Sequence, residues 1–249
     1  MITYADYLST SETQRWLLET DIPWDDIQPE VALEQPELLE RLRDSALIES
    51  FFPILTPRAL DVLWDDPAAT AIFSVQLYES YKHFHVFNLY LERVGFRPLR
   101  DDDLIEVRRR NLGLKYTCGT RMLTQYFMSE HFAAHSFFKD ARASNEKVLS
   151  QILQLVARDE VRHSQFGYEL LQMRIGRDPS HADIVLDAAR NFTHFGALVV
   201  PEVPVGNKND FIAIVTLNQK IQRLTGAVWI WSQARNRHEP GNPKSCLAA

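Results

Sequence analysis

Asp159-Glu160-Val161-Arg162-His163 sits inside a segment that reads as a long amphipathic helix. Glu160 and His163 are three residues apart, so they leave the helix from one face, about one turn apart. Leu149, Ile152, Leu153 and Val156 lead into that face at helical spacing, which makes it the apolar one. A carboxylate and an imidazole turned into a core are costly unless something compensates them. A metal ion is a compensation that uses both residue types at that spacing. A solvated Glu/His pair is the plain alternative for one such motif. The reading therefore depends on what the other helices carry.

Three further segments place ligand-type residues on apolar stripes. Leu42, Ala46, Glu49 and Pro53 form one stripe. Leu123, Tyr126, Phe127, Glu130, Ala134 and Phe137 form a second, with Glu130 as its one charge. Phe73, Gln76, Ser80, His83, Phe87, Tyr90 and Val94 form a third, with Glu79 beside Ser80. Taken singly, each residue has an ordinary reading: a Glu solvated at a stripe edge, or a His hydrogen-bonded in a core. Their order along the chain changes the weight: Glu, a His helix, Glu, then Glu-x-x-His.

That order resembles the ferritin-like carboxylate-bridged di-iron superfamily, nearest to the ribonucleotide reductase small-subunit-like oxidases and the acyl-carrier-protein desaturases. Val156-Ala157-Arg158-Asp159-Glu160-Val161-Arg162-His163 is similar to the family's last ligand helix. Lys82-His83, Val86-Phe87 and Leu91-Glu92-Arg93-Val94-Gly95 resemble its second, Asp44, Glu49 and Pro53 its first, and Met128-Ser129-Glu130 its third. The resemblance covers roughly residues 40 to 175. It implies an all-α fold, a ferritin-like four-helix bundle core with additional flanking helices. It also implies metal ligands at Glu49, Glu79, His83, Glu130, Glu160 and His163.

One position departs from the family pattern. The bridging Glu expected three residues before the second-helix histidine is Ser80. Glu79 and His83 are four apart and still share a face, so a small rotation or a π-bulge would bring Glu79 onto the metal. Otherwise Ser80 leaves one coordination position open. The first alternative is favoured, because losing a carboxylate leaves the metal charge poorly balanced.

Carboxylates and imidazoles suit iron or manganese, and the lack of thiolates argues against structural zinc. The resemblance implies two iron ions, with manganese admitted at one site, and dioxygen as co-substrate. A ferrous pair that reduces dioxygen yields an oxidant able to attack C–H, C–C or amine N–H bonds. Asp159 is expected to hydrogen-bond a histidine of the opposite helix and fix its tautomer. Tyr126, four before Glu130, faces the site as a candidate redox-active or hydrogen-bonding catalytic residue, against the plainer reading of a core tyrosine. Phe127, Phe132, Phe137 and Phe138 are candidate pocket walls or plain core. His85, His131 and His135 fall off the metal face or at its margin.

Composition agrees with one helical domain over 1–235 and a mobile tail over 236–249. With 249 residues, 45% hydrophobic and 24% charged, the chain can bury a large core. No apolar run approaches a membrane span, and the first residues lack the basic-then-apolar pattern of a signal peptide. Cys118 and Cys246 are too few and too far apart for a disulfide framework. The expected setting is cytoplasmic. A net charge of −6 argues against a nucleic-acid partner. The expected partners are a small-molecule substrate, free or carrier-bound, and an external electron donor; a homodimer is allowed. Arg108-Arg109-Arg110 is either a docking patch for an acidic carrier or a solvated basic turn.

Punctuation outlines the helices. Asp21-Ile22-Pro23-Trp24 ends a first helix carrying Trp16, Leu17 and Leu18. Pro36 opens the next, and Asp66-Pro67 is an N-cap with proline at the first helical position. Gly95 closes that helix, Asp101 opens another, and Ser144 opens the Glu160 helix, which Gly176 ends. Ser180 starts a helix toward Val200, Pro201 to Asn209 is a loop, and a last helix runs from about Asp210 to Gly226.

The function expected is an oxygen-activating non-haem di-iron oxidase or oxygenase of a small organic metabolite, by hydroxylation, desaturation, N-oxygenation or oxidative cleavage. The alternatives are an iron-binding or ferroxidase protein, and a helical scaffold whose metal site has degenerated. Ser80 is the main support for the last.

Overall fold

The computed structural model describes residues 3–203 and 210–228, which are helical without a strand. Ten α-helices follow in order: α1 Tyr4–Gln14, α2 Pro29–Leu33, α3 Pro36–Glu49, α4 Phe52–Leu63, α5 Pro67–Arg93, α6 Asp101–Arg110, α7 Gly119–Ala143, α8 Lys147–Arg177, α9 His181–Arg190 and α10 Phe211–Thr225. None is long and apolar enough to cross a membrane. α7 packs along α8, while α5 packs against α3, α4 and α8. Gly167 sets the closeness of the first pair: a Cβ there would lie 3.0 Å from the Phe127 Cβ.

The apolar interior is split in two. One cluster gathers Ala69, Ile72 and Phe73 of α5, Met122 to Phe132 of α7, and Phe166, Leu170 and Leu171 of α8. The other gathers Leu38, Leu42 and Ala46 of α3, Val86 to Leu91 of α5, Phe137 of α7, and Val148 to Ala157 of α8. Between them lies a buried polar layer, which α5, α7 and α8 cross at Gln76 to His83, at Glu130 and at Asp159 to His163, and at which α3 ends with Glu49. The order of clusters along each helix shows that α8 crosses it in one direction, with α3 approaching the same way, and α5 and α7 cross in the other.

The helix signals hold where a side chain satisfies a helix end. Asp66 caps α5 by accepting from the Ala69 amide at 3.1 Å, and Gly95 follows with φ +72°. Asp210 caps α10, which ends at left-handed Gly226. Four expectations are corrected. α8 runs through Gly176 to Arg177. The first helix stops at Gln14, so Trp16 reaches the core from an extended segment. Glu146 rather than Ser144 caps α8, its carboxylate accepting from the Val148 and Leu149 amides at 3.2 and 2.7 Å. The helix from Ser180 ends at Arg190, short of Val200, and a 3₁₀ turn covers Phe195–Leu198. The stripe through Glu49 and Pro53 also spans two helices, because α3 ends at Glu49 and Pro53 sits in the first turn of α4. The tail expected over 236–249 and most of the loop to Asn209 lie outside the described residues.

Candidate metal centre

Glu160 stands between two imidazoles. Its Oε1 is 2.9 Å from His83 Nδ1 and its Oε2 is 2.9 Å from His163 Nδ1. Glu49 Oε2 approaches His83 Nδ1 to 3.8 Å. Two groups result, Glu49/His83/Glu160 and Glu130/Glu160/His163, each with one donor atom per residue and all three atoms within 4.8 Å. Every member is buried. Of the six expected ligands, five therefore converge, with Glu160 common to both groups.

Four of the polar atoms that converge lack ordinary partners. Glu49 Oε2, His83 Nδ1, Glu130 Oε1 and Glu160 Oε1 make no hydrogen bond among the described residues. His83 Nδ1 and Glu160 Oε1 are close but not aligned as donor and acceptor. Buried polar atoms are nearly always satisfied, so four orphans aimed at one region fit a cation that accepts their lone pairs. Oxygen and imidazole nitrogen without sulfur suit iron or manganese.

Around this ring the outer nitrogens are fixed. His83 Nε2 lies 3.0 Å from Asp159 Oδ2, the bond expected of Asp159. His163 Nε2 lies 2.8 Å from Glu79 Oε2. An outer carboxylate holds the proton on Nε2 and turns the Nδ1 lone pair inward. Arg162 ties the two acids together, its Nη2 lying 2.7 Å from Glu79 Oε1 and 2.9 Å from Asp159 Oδ1. Trp16 Nε1 donates to Asp159 Oδ2 at 2.8 Å, and the Tyr7 hydroxyl donates to Glu79 Oε2 at 3.2 Å.

Glu79 is the correction. It faces the back of His163, not the region where the other five meet. α5 runs as uninterrupted α-helix through this turn, without the π-bulge that would rotate Glu79 inward. About 100° separates successive residues, so Ser80 and Gln76 take the inner face. Gln76 Nε2 lies 3.1 Å from both Ser80 Oγ and His163 Nδ1. Tyr126 reaches the site through this amide, with its hydroxyl 2.7 Å from Gln76 Oε1.

Burial pushes Glu130 up, and the Glu160 charge adds to it, so its carboxyl titrates well above the usual range. The same two causes raise Glu49. Glu160 goes the other way: burial pushes it up, but His163 and His83 hold it well below. Burial lowers His163, yet Glu160 and Glu79 bring it up to about 9. Without metal, the imidazoles thus hold their protons more firmly and the two flanking carboxyls ionise less readily.

The remaining candidates lie elsewhere. Phe127 and Phe132 pack in one apolar cluster, Phe137 in the other, with Phe138 against it. His85 lines an open groove of about 750 Å³ with Trp24, Asp25 and Arg93. His131 Nε2 is bonded to the Ala213 carbonyl, and the His135 ring lies tilted beside it at 4.8 Å. Arg108 to Arg110 close α6, where cations complement the helix dipole. The sequence reading missed Trp16, Tyr7, Arg162 and Gln76 as parts of the site. Gln76 had a signal, being the one amide on the α5 stripe.

No family model matches the chain, and no curated protein is significantly similar to it.

Proposed function

We propose that the chain is an oxygen-activating non-haem di-iron oxidase or oxygenase acting on a small organic metabolite. The observation that carries this reading is the Glu160 carboxylate, one oxygen toward each histidine of two adjoining buried triads. Four helices meeting at one polar layer, with an apolar cluster on either side, suit the ferritin-like bundle in which such carboxylate pairs are built. A pair of ferrous ions bound there would supply two electrons to dioxygen.

The residues of the chain supply the setting. Asp159 and Glu79 keep the Nε2 protons in place, so His83 and His163 present Nδ1 inward. Glu49 and Glu130 flank the shared Glu160. Burial on both sides excludes water and strengthens each electrostatic contact. Burial, then the Glu130 charge, raises the Tyr126 hydroxyl well above its ordinary value. It therefore holds its proton, one amide away from His163.

The test is anaerobic loading with ferrous iron and elemental analysis, followed by oxygen uptake with and without acyl chains, amino acids and aromatic amines. Two ions per chain and substrate-dependent uptake are expected. A chain that retains no metal is a scaffold, and one that takes up hundreds of ions is a store. Either result overturns the reading.

A further inference from the structure

Ser80 leaves the inner face of α5 without a carboxylate, and the neighbouring residue on that face is Gln76. Gln76 is fully buried. Its amide touches three groups: Ser80 Oγ and His163 Nδ1, each 3.1 Å away at one end, and the Tyr126 hydroxyl, 2.7 Å away at the other.

The amide end facing His163 meets a chemical conflict when it is the NH2. That ring has a carboxylate at each nitrogen, Glu160 Oε2 at 2.9 Å and Glu79 Oε2 at 2.8 Å. With Glu79 holding the proton on Nε2, Nδ1 either donates to Glu160 or turns its lone pair to a cation, and in neither case is it left to accept from an amide. A cation seated beside Nδ1 would repel the same NH2. Turning the amide by a half rotation removes both conflicts, since the two ends have nearly the same shape. The oxygen then faces His163 and accepts from Ser80, while the NH2 donates to the Tyr126 oxygen. Both hydroxyl contacts survive, because a hydroxyl can donate or accept.

We propose that the Gln76 amide oxygen is the α5 ligand of the ion held by Glu130, Glu160 and His163. The proposal rests on the metal-centre reading above. This amide end and Nδ1 lie 3.1 Å apart, close enough to share one ion.

Charge agrees with a neutral ligand here. Two divalent ions carry four positive charges, and Glu49, Glu130 and Glu160 offset three. Glu79 and Asp159, one step further out, add two negatives, and Arg162 between them adds a positive. The buried cluster thus closes at neutrality with an amide at this position. The charge that Ser80 lacks is carried by Glu79, behind His163.

Anaerobic cobalt(II) titration of the full chain, followed by calorimetry and visible absorption, tests this. The unaltered protein should bind two ions. Gln76→Leu should keep one and bind the other at least tenfold more weakly. Gln76→Glu should bind that ion about tenfold more tightly, with a changed visible band. Two ions held by Gln76→Leu with unaltered affinities would overturn the Gln76 assignment and leave the centre standing. No cobalt on the unaltered protein would overturn the centre and the assignment with it. If Gln76→Leu does not fold, Gln76→Glu decides: an unchanged second affinity and spectrum overturn the proposal.

Discussion

Glu79 and His163 are paired back to back with the site: Glu79 Oε2 lies 2.8 Å from Nε2, while Nδ1, on the other side of the ring, faces Glu160 at 2.9 Å. His83 repeats the arrangement with Asp159 behind it and Glu160 in front. The two imidazoles are thus held in matching orientation by acids that Arg162 joins. The consequences are open to measurement.

The shared position of Glu160 predicts an unequal pattern of losses. Glu160→Ala should remove both ions. Glu49→Ala and Glu130→Ala should each remove one, and His163→Ala should leave one at most. Elemental analysis beside circular dichroism checks this. Folded His163→Ala protein with two ions would contradict the ligand assignment.

Glu79→Gln should keep both ions, because the carboxylate does not face them. It should weaken the ion at His163 by about 10- to 100-fold, the usual effect of altering an outer partner of a ligating histidine. Ser80→Ala should change affinity by less than about twofold, since only its bond to Gln76 is lost. Loss of one ion in Glu79→Gln, as complete as in Glu130→Ala, would mean that Glu79 binds metal directly.

Metal-free stability should fall as pH rises. His163 has its folded value raised from 6.5 to about 9, so its contribution is full below 6.5 and is lost as pH passes about 9. Glu49 and Glu130 are raised as well, so ionising them above the ordinary carboxylate range acts in the same direction. Metal displaces these protons. The gap in Tm between loaded and metal-free protein should therefore widen from pH 6 to pH 9. Parallel Tm curves over that range would count against the assignment.

Gly167→Ala should destabilise by about 1–3 kcal/mol. The added methyl would lie 3.0 Å from Phe127 Cβ and 3.1 Å from Tyr126 Cδ1, which forces α7 and α8 apart. Urea unfolding of the metal-free protein measures this, and an unchanged midpoint would show that the pair can yield.

Five of the converging residues were legible because helical spacing turns a sequence into a face. Glu160 and His163 share a face with an apolar stripe, and Glu49, His83 and Glu130 interrupt stripes of their own. Glu79 was misread because the family pattern supplied a reason to rotate it, whereas α5 stays regular and one residue is worth about 100°. Gln76 carries no charge and blended into its stripe. Trp16 was placed on a helix that in fact ends at Gln14, and the Glu146 cap lay two residues past the expected Ser144. Long-range pairs such as Trp16 with Asp159 depend on how segments 143 residues apart meet, and no local pattern records that.

The polar layer between two apolar clusters has a bearing on how the proposed ions would come and go. Each of α5, α7 and α8 has an apolar stretch on both sides of the layer, so their ends stay clamped when the middle loosens. Hydrogen exchange in the metal-free protein should accordingly be fastest at the waist, around residues 76–83 and 159–164, and slow toward both cores. Such a molecule would take up its proposed ions after it has folded, by local opening alone, without passing through an unfolded chain.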